Sequence, residues 1–126
     1  MTTAYWCVLA AIFMPYVWTG LAKFTSGFGP RDNHHPREYL DRLQGVPKRA
    51  HWAQLNTFES IPGFMAAVII AHQAAAPQGR IDAIAVTYIV LRLLYGIFYM
   101  TDKAELRSLV WAASLGCVVA LFVVAA

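Results

Sequence analysis

The sequence predicts an all-α fold, a four-transmembrane-helix bundle in which residues 1–126 form one membrane domain. Three observations carry that prediction. The chain is 59% hydrophobic and only 13% charged, against about a quarter charged in an ordinary soluble domain. Its charges are clustered, leaving four long weakly charged runs at Thr2–Ala22, Ser60–Gly79, Ala83–Thr101 and Ser108–Ala126. Each is close to the roughly 20 residues that a helix needs to cross a bilayer. Third, a chain this short lacks enough polar surface to cover four such helices, so an all-buried soluble core is a poor alternative.

The first span, Thr2–Ala22, contains Pro15. Proline lacks a backbone donor and is expected to kink the helix. Met1–Trp6 has no basic residue and no convincing small-residue cleavage site closes the run, so the span is expected to be retained rather than removed as a signal. Lys23 follows at the membrane edge, where its ammonium can reach the interface.

Between Lys23 and Arg49 lie six basic residues (Lys23, Arg31, Arg37, Arg42, Lys48, Arg49) and three acidic ones (Asp32, Glu38, Asp41). Ser26-Gly27-Phe28-Gly29-Pro30 breaks the first helix. PREYLDRLQG reads as a short helix from Pro36 to a stop at Gly45, with opposite charges four apart at Arg37/Asp41 and Glu38/Arg42. His34-His35 lacks a spaced third ligand and reads as solvated loop, so no metal site is expected. The formal charge of +3 reflects bases that flank spans and is not a nucleic-acid signal. Cys7 and Cys117 fall in apolar runs and read as buried thiols.

The second span is expected from near Pro47 to about Ala76. It opens with RAHWAQLNTFESIP, in which Arg49, Asn56 and Glu59 lie on one side of a helix. Glu59 directly precedes IPGFMAAVIIA, where a carboxylate near hydrocarbon needs a partner. Pro62 should interrupt or bend the helix beside it. His72 is given at most an interfacial role. A tight turn at Pro77–Arg80 leads to the third span, about Ile81–Met100, where Tyr88, Arg92, Tyr95 and Tyr99 recur at four, three and four and share a face. Tyrosines at that spacing are ordinarily packing, but an intramembrane arginine points to a partner or a cavity, and Glu59 is the expected partner. Thr101–Glu105 closes a hairpin. Arg107 and Ser108 open the fourth span, which otherwise carries no polar chemistry. The bias of Lys and Arg puts the first and third loops in the cytoplasm and both termini on the non-cytoplasmic side. Arg49, Asn56, Glu59, Tyr95, Tyr99 and Arg107 then gather in the cytoplasmic half.

The RA-x-x-A-x-x-N-x-x-E-x-x-P pattern of Arg49–Pro62, with Arg92, Tyr95, Tyr99 and the Arg107-Ser108 pair, resembles bacterial-type members of the MAPEG family, the membrane-associated proteins in eicosanoid and glutathione metabolism. The likeness covers nearly the whole chain. It implies a homotrimer with glutathione held as co-substrate between neighbouring subunits. Arg49, Asn56, Glu59, Arg92, Tyr95 and Tyr99 would bind the tripeptide, and Arg107, with Ser108, would face its sulfur. Arginines suit the glutathione carboxylates and a carboxylate suits its amine. A nearby cation favours the reactive thiolate, which could attack a lipophilic small molecule arriving from the membrane lipids. Trp52 departs from the pattern, because many members of the family carry a second arginine there, and an indole cannot clamp a carboxylate. Two functions stay open. One is a glutathione-dependent transferase or peroxidase. The other is a non-catalytic membrane module, either a lipid-binding scaffold or an accessory subunit of a larger membrane complex.

Overall fold

A computed structural model describes all residues from Met1 to Ala126. It contains five α-helices and no strands: α1 (Thr3–Ser26), α2 (Pro36–Arg42), α3 (Gly45–Gln73), α4 (Gln78–Met100) and α5 (Ala104–Ala125). A single 3-10 turn, Asp32–His34, precedes α2.

Local chemistry sets the helix ends. The Thr2 side chain accepts from the Tyr5 N–H and caps α1. Gly27, at φ 76°, takes the left-handed conformation that closes it, which costs a glycine nothing sterically. α1 therefore runs a turn past the apolar stretch, through Lys23 to Ser26. Pro36 starts α2 as expected, but α2 ends at Arg42. Gly45 is not a stop: at φ 66° it is the corner from which α3 begins. Both Pro15 and Pro62 lie inside continuous helices, so Pro62 does not divide the second long helix.

Three helices, α1, α4 and α5, are long and apolar enough to cross a membrane. The 24 residues of α1 span about 36 Å at 1.5 Å per residue, more than the roughly 30 Å hydrocarbon layer. α3 is not among them, although it is the longest helix at 29 residues. It ends at Gln73, so any span-length window in it takes in part of the polar stretch from Arg49 to Glu59. The chain is an integral membrane protein with three helices apolar enough to cross the bilayer.

α3 and α4 each pack on the other long helices, with α1 seated chiefly on α3 and α5 chiefly on α4. Small side chains allow these close approaches. Ala4, Cys7 and Ala11 of α1 meet Phe64, Ala67, Val68 and Ala71 of α3 and Ala85 and Tyr88 of α4 in the main core. The Phe64 and Tyr88 rings stack there at 3.9 Å. A second cluster joins Met14 and Trp18 of α1, Ala53 of α3, Tyr95 of α4 and Val110 of α5. The Trp18 indole packs against Gly96, in the space a Cβ there would fill. Apolar residues such as Leu109, Leu115, Val119 and Phe122 on α5, and Leu9, Phe13 and Val17 on α1, face outward, as a lipid-facing surface requires.

At the end of the bundle away from loop one, Asp82 Oδ1 accepts from the Ala4 N–H and from Gln78 Nε2, each at 2.8 Å. A carboxylate of α4 thus serves as an N-terminal cap for α1. Gln78 Oε1 lies 2.9 Å from His72 Nδ1, and the His72 ring is 5.0 Å from that of Tyr5. His72 and Asp82 knit α1, α3 and α4 together.

Candidate functional site

The polar face of α3 meets α4 and α5 at the loop-one end of the bundle. Arg92, one turn before Tyr95, is 1% exposed. Its Nη2 donates to Asn56 Oδ1 at 2.9 Å and to Thr57 Oγ1 at 3.4 Å. Its Nε and Nη1 have no hydrogen-bond partner. Unmet donors on a buried guanidinium are costly in a low dielectric. The expected Glu59 pair does not form directly. The only ion pair within 4.0 Å between an arginine or lysine and a carboxylate is Arg42–Glu38. Instead Asn56 Nδ2 donates to Glu59 Oε2 at 3.3 Å, so one amide separates carboxylate from guanidinium. Glu59 shares the face of Asn56 one turn further along α3, where it stands at the exposed edge beyond the reach of buried Arg92.

Three adjoining pockets share Asn56. The inner one, about 270 Å³, lies among α3, α4 and α5 and is bounded by Glu59, Ser60, Tyr88, Arg92, Trp111 and Ser114, among others. The second, about 360 Å³, is lined by Trp52, Leu55, Asn56, Glu59, Tyr95 and Tyr99. The third, about 220 Å³, is lined by Asn56, Tyr95, Tyr99, Arg107, Ser108 and Trp111. Asn56, Glu59, Arg92, Tyr95, Tyr99, Arg107 and Ser108 therefore border a cleft made of adjoining pockets that meet at Asn56. Arg49 does not border it. Its Nε donates to the Met100 carbonyl at 3.0 Å, where it satisfies the C-terminal end of α4.

Aromatic rings hold the cations. Arg92 Cζ sits 4.3 Å from the Tyr95 centroid, and Arg107 Cζ 4.4 Å from that of Tyr99. Tyr95 and Tyr99 meet edge to face at 5.6 Å. Cation–π contacts of this kind fix a guanidinium without neutralising it. Trp52 extends the row, 6.2 Å from Tyr99. Lys48 lies over Trp52 but donates to the Leu40 and Asp41 carbonyls, so it closes α2 rather than adding a cation to the cleft.

The cleft also has members that the sequence reading passed over. Thr57 is the second partner of Arg92. Ser60 accepts from the Tyr88 hydroxyl at 3.0 Å. Buried Ser114, which donates to the Trp111 carbonyl at 2.7 Å, overturns the expectation that the last helix is without polar chemistry beyond Ser108. The spacing of Arg107, Trp111, Ser114 and Val118, at four, three and four, marks the face that α5 turns to the cleft.

Chemically, the cleft offers two arginines with donors to spare, one exposed carboxylate and two tyrosine rings. That set fits a ligand bearing both anionic and ammonium groups. The fold and the cleft together define an integral membrane helical protein with a polar, arginine-bearing cavity among its helices. The profile of the MAPEG family matches residues 3–126, and the chain belongs to that family. A search of curated proteins finds no match.

Proposed function

We propose that the protein is a glutathione-dependent membrane transferase or peroxidase that conjugates or reduces lipophilic electrophiles, with glutathione as co-substrate. The observation that carries this reading is the buried Arg92 guanidinium, whose Nε and Nη1 lack partners beside a cleft also bordered by Asn56, Glu59 and Arg107. A glutathione carboxylate would meet those donors, Glu59 would accept from its amine, and Tyr95 and Tyr99 would flank its body. Arg107, stacked on Tyr99 and beside Ser108, would stabilise the thiolate by charge. With an aryl halide the thiolate sulfur bonds to the ring carbon, halide departs with the bonding pair, and the thiol proton goes to solvent.

In this reading α3 is the fourth membrane span, its polar side turned to the cleft. Its 29 residues would cover about 43 Å. Three copies would assemble so that each cleft is closed by a neighbour, which would suit the outward Glu59. The loops joining α1 to α3 and α4 to α5 would face the cytoplasm with both termini opposite, as the distribution of Lys and Arg favours. The test is to purify the protein in detergent and to measure glutathione binding and aryl-halide conjugation. Failure to bind glutathione would overturn the reading.

Trp52 supports a second reading. Its indole fills the edge of the cleft beside Tyr99, where a second arginine would otherwise grip a carboxylate. On that reading the protein is a non-catalytic membrane module, a lipid-binding scaffold or an accessory subunit of a larger membrane complex. Stable copurification of another membrane protein, without glutathione binding, would favour it.

A further inference from the structure

The excess charge of the chain has one address. Lys23–Arg49 holds six basic and three acidic residues, and elsewhere the two signs cancel, so this segment accounts for the whole formal +3. Its three carboxylates are all engaged within the segment or with α3. Asp32 Oδ2 accepts from the Gly29 N–H at 2.8 Å. Glu38 pairs with Arg42. Asp41 Oδ1 is 3.3 Å from His51 Nε2. The Arg31 side chain makes no hydrogen bond or ion pair with the protein, and the Arg42 side chain uses only Nη2.

These groups border a pocket of about 400 Å³, lined by Arg31, Asp32, His35, Glu38, Tyr39, Arg42 and Leu43. Its depth relative to the bilayer follows from Tyr39. The Tyr39 hydroxyl donates to the Ser26 carbonyl at 3.0 Å and lies 2.9 Å from Ser26 Oγ, and Ser26 is the last residue of apolar α1. The Tyr39 ring also meets Phe28 edge to face at 5.0 Å, and Lys23 lies over Phe28. Phe24, on the final turn of α1, is 87% exposed. An aromatic pair, an exposed phenylalanine and a lysine at the end of a spanning helix mark the hydrocarbon–headgroup boundary. The pocket opens within the layer where lipid phosphates lie.

We infer that this pocket holds the phosphodiester headgroup of an anionic phospholipid, with Arg31 and Arg42 as its phosphate donors. Arginine forks match phosphate oxygens. Within the lining Arg31 and Arg42 balance Asp32 and Glu38, so the preference for an anionic lipid comes from the net +3 of the surrounding Lys23–Arg49 segment and the free donors of Arg31. The site is separate from the cleft around Arg92 and does not depend on the glutathione reading. A lipid seated there would brace α2 against the 3-10 turn that precedes it.

The experiment is native mass spectrometry of the full chain released from mixed phosphatidylglycerol–phosphatidylcholine nanodiscs. The expected result is preferential retention of phosphatidylglycerol. The double variant Arg31→Gln/Arg42→Gln should lower that preference on the order of tenfold, from about 1 kcal/mol for each basic residue near an anionic surface. Arg80→Gln, at the other end of the bundle, should leave it unchanged. In the unaltered protein the preference should fall as salt approaches about 1 M, where the screening length is about 3 Å; this arm needs no variant to fold. Equal retention of the two lipids, indifference to salt, or a preference that survives the double variant would overturn the inference. So would displacement of the lipid by an equal concentration of soluble glycerophosphoglycerol, which would make the pocket a site for a free phosphoester.

Discussion

Replacing Gly96 with alanine should damage this protein more than any other glycine-to-alanine change within its long helices. A Cβ built at Gly96 would stand 2.2 Å from Trp18 Cζ2, 2.5 Å from Cη2 and 2.6 Å from Cε2. Carbon atoms at rest are about 3.5–4.0 Å apart, so the indole would have to retreat by about 1.3 Å or more. It has nowhere to go. Trp18 is 3% exposed and is held among Met14, Ala53, Tyr95 and Val110. Overpacking of this kind costs about 1–3 kcal/mol, and alanine returns up to about 1 kcal/mol through helix propensity. Gly20→Ala and Gly116→Ala isolate that second effect, because a Cβ at either meets nothing within 4 Å. Gly96→Ala should therefore unfold about 1–3 kcal/mol more easily than Gly116→Ala. Reversible unfolding in mixed micelles, followed by far-ultraviolet circular dichroism, measures the gap. Adding Trp18→Leu to Gly96→Ala should recover part of the loss, a non-additive outcome that marks direct contact. Equal stability of Gly96→Ala and Gly116→Ala would refute the packing of α1 on α4 described above.

Three further outcomes are expected. Arg107→Ala should lower aryl-halide conjugation on the order of 100-fold, as loss of a charge-stabilising donor does elsewhere, with glutathione affinity changed far less; undiminished turnover would remove Arg107 as the thiolate partner. Trp52→Arg should raise glutathione affinity about tenfold, from one added charge-assisted bond of roughly 1.5–3 kcal/mol, less the lost contact with Tyr99; calorimetry in detergent would show it, and unaltered or weaker affinity would count against the Trp52 argument. Asp82→Ala should destabilise the fold by about 1 kcal/mol through the uncapped start of α1, with faster hydrogen exchange at Ala4; exchange no faster than in the unaltered protein would show that the cap carries no weight.

How much of this was legible in the sequence depended on the range of the interaction. Helix order and the breaks at Gly27 and Thr101 follow from charge clustering and turn residues, which act locally. The facing of Arg92, Tyr95 and Tyr99 followed from spacing alone, because helical periodicity fixes direction before any partner is known. Partners were harder. Arg49 and Glu59 share a stripe with Asn56, yet Arg49 reaches the Met100 carbonyl because the turn before Gln78 folds α4 back along α3 and sets its end beside the start of α3, a tertiary fact with no local signal. Trp18 against Gly96 and Asp82 against Ala4 join residues from separate helices and were equally silent. Ser114 was passed over because a lone serine in an apolar run carries little weight. Its spacing from Arg107 and Trp111 was the available clue.

The place of Asn56 between Arg92 and Glu59 is the feature on which the chemistry of the cleft turns. An amide both accepts and donates, so it can bind the guanidinium through Oδ1 and the carboxylate through Nδ2 at once. It does so without cancelling either charge. A carboxylate in direct contact would instead use up Arg92, since buried arginine–carboxylate pairs form strong two-point contacts. Asn56→Asp is nearly isosteric and tests this directly. It would set a carboxylate where Oδ1 now lies, 2.9 Å from Arg92 Nη2, and would oppose Glu59 with a like charge. The fold should persist, since the aspartate meets a buried cation. Glutathione binding should weaken at least about tenfold, because the ligand carboxylate would compete with a resident one for the same donors. Asn56→Asp/Glu59→Gln, which removes the like-charge contact, should not restore it. If Asn56→Asp bound glutathione as tightly as the unaltered protein, Arg92 would not be the anion-binding group, and its unmet donors would call for a partner from a neighbouring chain instead.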